Sequence, residues 1–316
     1  MGAFFLVLGM NRTLGLALVI LLAGIVFFAC SKKTPSFNNT KAFNEAIRIQ
    51  ADDQIRVSGE LDAAINDIDS VLGGATSVCG GTVYTAVDSA DTALIVTISY
   101  SGATCNTLST RAGTITILSR LGNSWTTASD SVTIGFTNYL VTRTSGTKRI
   151  KFNGSLNYKN ISGDSLAGLA KGGTSPIVHT ISGLNVNIVY DDSSTSRWQF
   201  GRQRSYTWNS GLVITTTGLD SANTIGGVAD WGANRFGNSI VVVPAADTPW
   251  VISQSCGWRT TAGQATLYNP SGVSVLTMGL DTTGKPTGCP ASGGTFYYKI
   301  AWTGDLESPF TGIFSY

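Results

Sequence analysis

Apolar and polar positions alternate along most of the chain after Ser77. Segments such as "ALIVTIS", "GTITIL" and "KRIKFNGSLNY" place apolar residues at every second position and are separated by Gly, Asn, Asp and Ser. This period of two is typical of strands that bury one face. Because eleven or more such segments follow one another without an intervening helical pattern, the sequence predicts a mainly β fold. We expect an antiparallel β-sandwich or a barrel-like sheet.

A helical period precedes these strands. Between residues 40 and 74 the apolar residues, among them Phe43, Ile47 and Ile65, recur three or four positions apart, and a Gly-Gly pair ends the pattern. Gly59 and the charged centre "ADDQIRVSGE" favour two helices here rather than one. We expect this short helical segment to pack between the N-terminal segment and the sheet.

One looser stretch, "ISGDSLAGLAKGGTSP" at residues 161–176, interrupts the strand pattern with Gly and small residues. Its composition favours a boundary between a first β-unit, residues 75–165, and a second β-unit, residues 166–316. The alternative is a long loop within one continuous β-domain.

The N-terminal residues follow neither pattern. Sixteen residues without a charge, "LGLALVILLAGIVFFA", come after Arg12 and end at Cys30. Such a run is short for a membrane span, which needs about 20 apolar residues, and suits the apolar region of a secretory signal. Met10 is a more economical translation start than Met1, because it places the basic Arg12 directly ahead of the apolar run. The sequence therefore predicts a signal peptide at residues 1–29 and a polar tether at residues 30–39.

The end of the apolar run, "FFAC", resembles the lipobox of bacterial lipoproteins, with small Ala29 before Cys30, although its two phenylalanines depart from the usual pattern. Boxes that continue as "CSKK" are similar to those of Bacteroidota lipoproteins. The resemblance implies cleavage before Cys30 and acylation, with palmitate-type chains, of its sulfur and new amino group. Two or three such chains anchor a protein stably to a membrane.

The residues after the cysteine bear on the location. Ser31 instead of Asp, by resemblance to envelope sorting signals, implies the outer membrane, and the lack of a following acidic run favours the periplasmic face over the cell surface. The alternatives are an uncleaved anchor helix and an ordinary signal peptide with an incidental cysteine.

Composition agrees with a secreted β-protein. Charged residues make up 13% of the chain, which contains 37 glycines, whereas about 25% charged residues is usual. The net charge of +2 and the lack of a basic block argue against a nucleic-acid partner.

The chain contains one histidine, His179, in the alternating segment "SPIVHTISG". Ser-His-Asp and Cys-His systems need a histidine base, and we expect His179 to be a surface or hydrogen-bonded strand residue. No CxxC or HExxH spacing is present, so we predict no metal site and no cofactor. These observations favour a protein that is not an enzyme.

Four further cysteines allow three disulfide pairings. Internal similarity favours one of them, because two segments each begin with Cys-Gly, contain two strands around a polar turn, and end with Gly and Thr near a second cysteine. We therefore predict two copies of one β-unit, the first closed by the disulfide Cys79–Cys105 and the second by Cys256–Cys289. An oxidising envelope compartment permits such bonds. A two-part β-region behind an N-terminal helix resembles other Bacteroidota lipoproteins, and no activity comes with this resemblance.

Asp followed by Ser or Thr, and then by an apolar residue or Thr, occurs at seven sites. This pattern resembles the O-glycosylation acceptor of Bacteroidota envelope proteins, and the alternative is that each Asp forms an Asx-type turn. The candidate hydroxyls are those of Ser70, Ser89, Thr92, Ser131, Ser165, Ser221 and Thr282.

Two further segments are candidate sites. Asp191-Asp192 is a carboxylate pair suited to catalysis or calcium, but a hairpin turn explains it equally well and is favoured. The segment from Trp198 to Trp208, with Arg202 and Arg204, is predicted as an exposed aromatic and basic ligand-binding ribbon. Core packing is the alternative for its tryptophans.

Together these features predict a non-catalytic outer-membrane lipoprotein with a structural or accessory binding role in the envelope. Its predicted partners are the membrane, through the lipid anchor, and envelope proteins or glycans. The alternatives are a module that binds a glycan or surface polymer, a lipid carrier with an apolar cavity under the helix, and a carboxylate-based hydrolase.

Overall fold

The computed structural model describes residues 40–105, 109–143, 148–222, 224–290, 294–304 and 309–316. The predicted signal peptide, the lipidation site Cys30 and the tether up to residue 39 lie outside the described residues. Among the helices of the described part, none has the length and apolar character needed to cross a bilayer.

A single helix, α1, spans Thr40–Leu72. The expectation of two helices over this range was wrong. Gly59 does not interrupt the helix, because a glycine in a helix interior costs only about 1 kcal/mol and its neighbours Val57 and Leu61 are buried in the core. The charged centre stays helical since the surrounding sheet supplies partners for its side chains. The helix ends as predicted at the Gly-Gly pair, where Gly74 has a φ of 98°.

Eighteen strands, one short α-helix, α2, and one 3₁₀ helix, Gln254–Cys256, are described after α1. The first eight strands and α2 are β1 (Ser77–Val78), β2 (Gly81–Val87), β3 (Ala93–Cys105), β4 (Ser109–Arg120), β5 (Ser131–Arg143), β6 (Arg149–Asn160), α2 (Leu166–Ala170), β7 (Ile177–Tyr190) and β8 (Thr195–Trp208). The remaining strands are β9 (Leu212–Gly218), β10 (Asp220–Ala222), β11 (Ile225–Val228), β12 (Asp230–Ala233), β13 (Ser239–Pro244), β14 (Trp250–Ser253), β15 (Arg259–Asn269), β16 (Gly272–Leu280), β17 (Tyr297–Thr303) and β18 (Phe310–Ser315).

Sixteen of these strands form one antiparallel sheet, which confirms the predicted mainly β fold. Strands β1 to β8 pair in sequence order. The sheet then forks, because β8 pairs with β12 through its first half and with β9 through its second half. Strand β15 joins the two branches again by pairing with β13 and β14, and β16, β17 and β18 follow. Strands β10 and β11 form a separate hairpin.

A row of β-bulges crosses the first half of the sheet. Each of the five successive pairings from β3–β4 to β7–β8 contains a register shift, and bulges bend a strand and increase its twist. At the β4–β5 shift, Gly113 has a φ of 91°, and a Cβ there would lie 2.1 Å from the main-chain oxygen of Asn138. Only glycine fits this approach, and the row of bulges gives the sheet the curvature to pack around α1.

The core lies between α1 and the inner face of the sheet. Leu61, Ile65 and Ile68 of the helix pack with inward-facing strand residues such as Ile115 and Trp198. Charged residues of α1 are buried as well as apolar ones. The buried charged residues of α1 are Asp52, Asp53, Arg56, Asp62 and Asp69.

The two predicted β-units belong to one continuous sheet. Strands β6 and β7 flank the looser stretch 161–176 and pair directly with each other. The stretch is therefore a connection that contains α2 and lies within one β-domain, and it does not separate two domains.

One of the two predicted disulfides is described in full. Cys256 and Cys289 are bonded, with their Cα atoms 5.3 Å apart. Cys79 is also disulfide-bonded, but the side chain of its predicted partner, Cys105, lies outside the described residues. The Cys79–Cys105 pairing therefore stays a prediction.

Candidate functional site

The interior between α1 and the sheet contains a network of charged side chains. Arg202 of β8 donates two hydrogen bonds to Asp230 of β12, from Nε to Oδ1 at 2.6 Å and from Nη2 to Oδ2 at 2.7 Å. Gln54 and Ser58 of α1 complete this group, since Gln54 donates to Asp230 at 2.7 Å and Ser58 accepts from Arg202 at 2.9 Å. The network ties the fork of the sheet to the middle of the helix.

The solvent exposure predicted for the ligand-binding ribbon on β8 is wrong for three of its four residues. Trp198, Arg202 and Arg204 are buried, and only Trp208 is exposed, at 43%. The alternation predicts the strand correctly, but the face that contains the arginines points at a polar helix instead of at solvent. Arg204 donates to Asn66 of α1 at 2.8 Å.

His179 belongs to a second buried group, around Asp69 of α1. Tyr158 and Tyr206 both donate to Asp69, at 2.6 and 2.8 Å, and His179 Nδ1 lies 2.5 Å from the Tyr158 hydroxyl. Burial and the charge of Asp69 raise the pKa of Tyr158, so its hydroxyl remains a donor. His179 is thus a hydrogen-bonded strand residue, as expected, and it is enclosed away from solvent.

Asp191 and Asp192 occupy the turn between β7 and β8, which confirms the hairpin interpretation. Arg235 donates to Asp192 at 3.0 Å and to Asp53 of α1 at 2.5 and 2.7 Å, and its guanidinium lies 4.1 Å from the ring centroid of Tyr190. The carboxylate pair therefore helps to fasten the hairpin to the helix. Over the described part of the chain, no group of three His, Cys, Asp or Glu side chains is arranged to hold a metal ion.

A cleft of about 740 Å³ lies where the first and last strands of the sheet approach α1. Its floor is one face of the helix, and its walls come from the β1–β2 turn, from the β4–β6 region and from the region between β14 and β18. The cavity falls in the usual range of small-ligand sites, about 300–1,000 Å³. The polar, aromatic and glycine residues of its lining include Asp52, Gly59, Glu60, Asn66, Asp67, Arg111, Arg143, Lys148, Trp258, Arg259 and Tyr316.

Some of the charges in the cleft neutralise one another. Lys148 lies 2.8 Å from Asp52, and Arg111 lies 2.5 Å from Asp67, which also accepts from the Tyr100 hydroxyl at 2.7 Å. Burial raises the pKa of Asp67, while Arg111 opposes this effect. These pairs make a fixed polar wall.

Other charges in the cleft remain open. Within the described ranges, the side chains of Glu60 and Arg143 form no hydrogen bond or ion pair, although both line the cavity. Nε of Arg111 also has no hydrogen-bond partner among the described residues, but this atom is enclosed and does not face the cavity. The cleft thus combines a rigid polar wall with groups that are available to a ligand.

Trp258 is held at the cleft by an unusual backbone. Gly257 and Trp258 both adopt left-handed conformations, with φ of 66° and 61°, directly after the disulfide-bonded Cys256. A large side chain in this region of φ is uncommon, and strain of this kind often accompanies binding sites. Trp258 also packs against a cluster of buried residues that contains Tyr206 and Ile252. Its indole is thereby held in place at the wall of the cleft.

Gly59 lies on the floor of the cleft and is exposed. A Cβ added at this position would have no other atom within 4 Å. No packing constraint therefore demands glycine here, and the absent side chain leaves the middle of the cleft open.

The candidate O-glycosylation hydroxyls lie mostly at the surface. Six of the seven are exposed, and Ser165, which caps α2, is half-buried. The Asx-turn alternative is realised at Asp281, which accepts from the main-chain N–H of Thr283 two residues on, whereas Asp88 accepts from the N–H of Thr92 four residues on. Modification of these hydroxyls stays a prediction.

Comparisons of the chain with protein-family models, with curated proteins and with solved structures found no match.

The open groups of the cleft do not follow from the sequence patterns. These groups are spread over α1 (Glu60), β5 (Arg143), the residue before β15 (Trp258) and the start of β15 (Arg259), and each stands in an ordinary local pattern. Two features of the sequence could have indicated the cleft. One is a glycine in the middle of a helical pattern, and the other is a tryptophan two residues after a disulfide cysteine.

Proposed function

We propose that this protein is a non-catalytic lipoprotein of the outer membrane that serves as an accessory binding component of the envelope, with the cleft as its ligand site. Cys30 is the proposed lipid anchor, through which the membrane is the first partner. An extended tether of ten residues, from Cys30 to the start of α1 at Thr40, reaches at most about 35 Å. The β-body would therefore stay close to the bilayer.

The observation that carries the binding role is Gly59. A glycine in the middle of a 33-residue helix lowers helix stability by about 1 kcal/mol relative to alanine, and nothing around it would obstruct a side chain. A ligand that needs the floor of the cleft supplies a reason for glycine at this position. Structural packing alone supplies none.

A glycan or surface polymer is the ligand class that fits the lining best. Trp258 and Tyr316 offer aromatic surface, while Glu60 offers acceptors for hydroxyl groups. Sites that combine aromatic area with a few placed polar groups are typical of small-molecule recognition.

A lipid carrier and a carboxylate-based hydrolase gain less support. A lipid carrier needs an apolar groove, whereas seven charged side chains line this cleft. For a hydrolase, Asp191 and Asp192 are engaged with Arg235 in a turn, and Asp67 is held by Arg111 and Tyr100.

Two measurements test this proposal. Mass spectrometry of the native protein should find acyl chains on residue 30 and no residues 1–29, and an unmodified residue 30 would remove the anchor. A glycan array should give specific signals that Trp258→Ala reduces at least tenfold. Trp208→Ala, which removes an exposed tryptophan outside the cleft lining, is the matched control.

Thermal unfolding should confirm that both variants fold. An array without any signal would eliminate the glycan ligand. Signals that Trp208→Ala reduces and Trp258→Ala does not would place binding away from the cleft.

A further inference from the structure

Two arginines that line the cleft are not engaged by the acidic side chains around it. Among the described residues, neither Arg143, at the end of β5, nor Arg259, at the start of β15, forms an ion pair with an Asp or Glu side chain. They come from different strands that line the cleft. The acidic residues Asp52 and Asp67 are already engaged by Lys148 and Arg111.

Arg259 is fixed in position by its neighbours. Its guanidinium lies 5.0 Å from the ring centroid of Phe296 and 5.7 Å from that of Tyr316, and it donates to the main-chain oxygen of Tyr316. Burial, followed by the positive charge of Arg143, lowers the pKa of Arg259. Tyr316 and the carboxylate of Glu60 oppose this shift.

Repulsion between two cations is relieved when an anion binds between them. Guanidinium groups suit this task because their planar donors match the two oxygens of a carboxylate.

We propose that Arg143 and Arg259 form a subsite for the carboxylate of an acidic sugar residue, with Trp258 and Tyr316 beside the sugar ring. This inference rests on the proposed glycan-binding role and names the class of glycan. Glu60 lines the same cavity and accepts hydrogen bonds from hydroxyl groups. The opposite charges of Glu60 and the arginine pair then orient the sugar, with its carboxylate toward the arginines.

A saccharide fits this site better than an acidic peptide. The cleft offers aromatic surface and an unpaired carboxylate next to the basic pair, and the unpaired carboxylate of Glu60 would repel a run of acidic side chains. A sugar ring carries one carboxylate and several hydroxyl groups, which matches both kinds of group.

Isothermal titration with tetragalacturonate and with its fully methyl-esterified form tests this inference. The two probes share ring number and linkage, and the ester lacks the charge. We expect the acid to bind at least tenfold more tightly than the ester. Arg143→Gln should remove that preference, because the variant lacks the charged hydrogen-bond donor to the carboxylate.

Arg120→Gln is the matched control, since Arg120 is exposed at the end of β4 and does not line the cleft. It should bind both probes as the unaltered protein does. Arg259→Gln provides a second variant, with unfolding curves to verify its fold, and should also weaken binding of the acid more than binding of the ester.

The outcomes separate this inference from the proposed function. Equal binding of acid and ester, or an unchanged preference in Arg143→Gln, would overturn the acidic-sugar subsite and leave a glycan site standing. Equally tight binding of tetraglutamate would overturn the saccharide specificity. Array silence together with no binding of either saccharide probe would overturn both proposals.

Discussion

Arg202 and Asp230 form a two-point ion pair in the interior of the protein, and neither side chain is accessible to solvent. They come from β8 and β12, at the fork of the sheet, and both contact α1 through Ser58 and Gln54. The helix is therefore held by directed polar contacts as well as by apolar packing. Such contacts fix the register of a helix against a sheet more narrowly than apolar packing does.

Breaking this pair should be strongly destabilising. Asp230→Ala leaves the buried charge of Arg202 with only Asp62 nearby, at 3.6 Å, and we expect the free energy of unfolding to fall by about 3–5 kcal/mol. The double variant Arg202→Met/Asp230→Ala should lose less than the sum of the two single variants. Urea unfolding of all four proteins measures this coupling, and strictly additive losses would show that the pair does not act as a unit.

Stability should depend on pH through Asp53. Burial raises the pKa of Asp53 from 3.8 to about 6, although Arg235 opposes the shift. The folded state therefore holds this proton more tightly than the unfolded chain, and stability falls as pH rises from about 4 to about 6, by at most about 3 kcal/mol. Above pH 6 this contribution is lost.

Asp53→Asn removes the titrating group and should flatten the stability profile between pH 4 and pH 7. Asp247→Asn is the control, because Asp247 is exposed and makes no side-chain hydrogen bond within the described ranges. Chemical unfolding at several pH values gives the two slopes. A profile that is equally steep in Asp53→Asn would assign the pH dependence to other groups.

The Cys256–Cys289 disulfide should contribute substantially to stability. It closes a loop with a sequence separation of 33, for which the chain-entropy relation gives about 4 kcal/mol. We expect Cys256→Ala/Cys289→Ala to lower the free energy of unfolding by about that amount, measured in urea. A loss below about 1 kcal/mol would mean that the loop is already ordered without the bond.

The fold class can be predicted from local sequence patterns. Which polar side chains meet in the interior cannot be predicted from them. Alternation along "SRWQFGRQRSYTW" correctly groups Trp198, Arg202 and Arg204 on one face of a strand. It does not indicate that this face meets a polar helix, since Asn66, the partner of Arg204, is 138 positions away. An arginine on an otherwise apolar face was the available hint of a buried counter-charge.

The break predicted in the helix is wrong for a related reason. Gly59 and the charged centre of α1 weaken the helix locally, and local propensity favours a break there. The sheet supplies partners for these charges, such as Arg235 for Asp53 and Asp230 for Gln54, so tertiary contacts override the local preference. The cleft is also formed by residues that lie far apart in the sequence, so no local sequence pattern predicts it.

Filling the floor of the cleft at Gly59 tests the central claim, that this cleft is the ligand site. Gly59→Ala and Gly59→Trp both replace an exposed helical glycine with open space around it, so neither should unfold the protein, and alanine should raise the free energy of unfolding by about 1 kcal/mol. On a glycan array, Gly59→Ala should weaken the signals of the unaltered protein because its methyl group narrows the floor of the cleft, and Gly59→Trp should lose them because its indole occupies the cleft. Full retention of binding by a folded Gly59→Trp variant would contradict the claim.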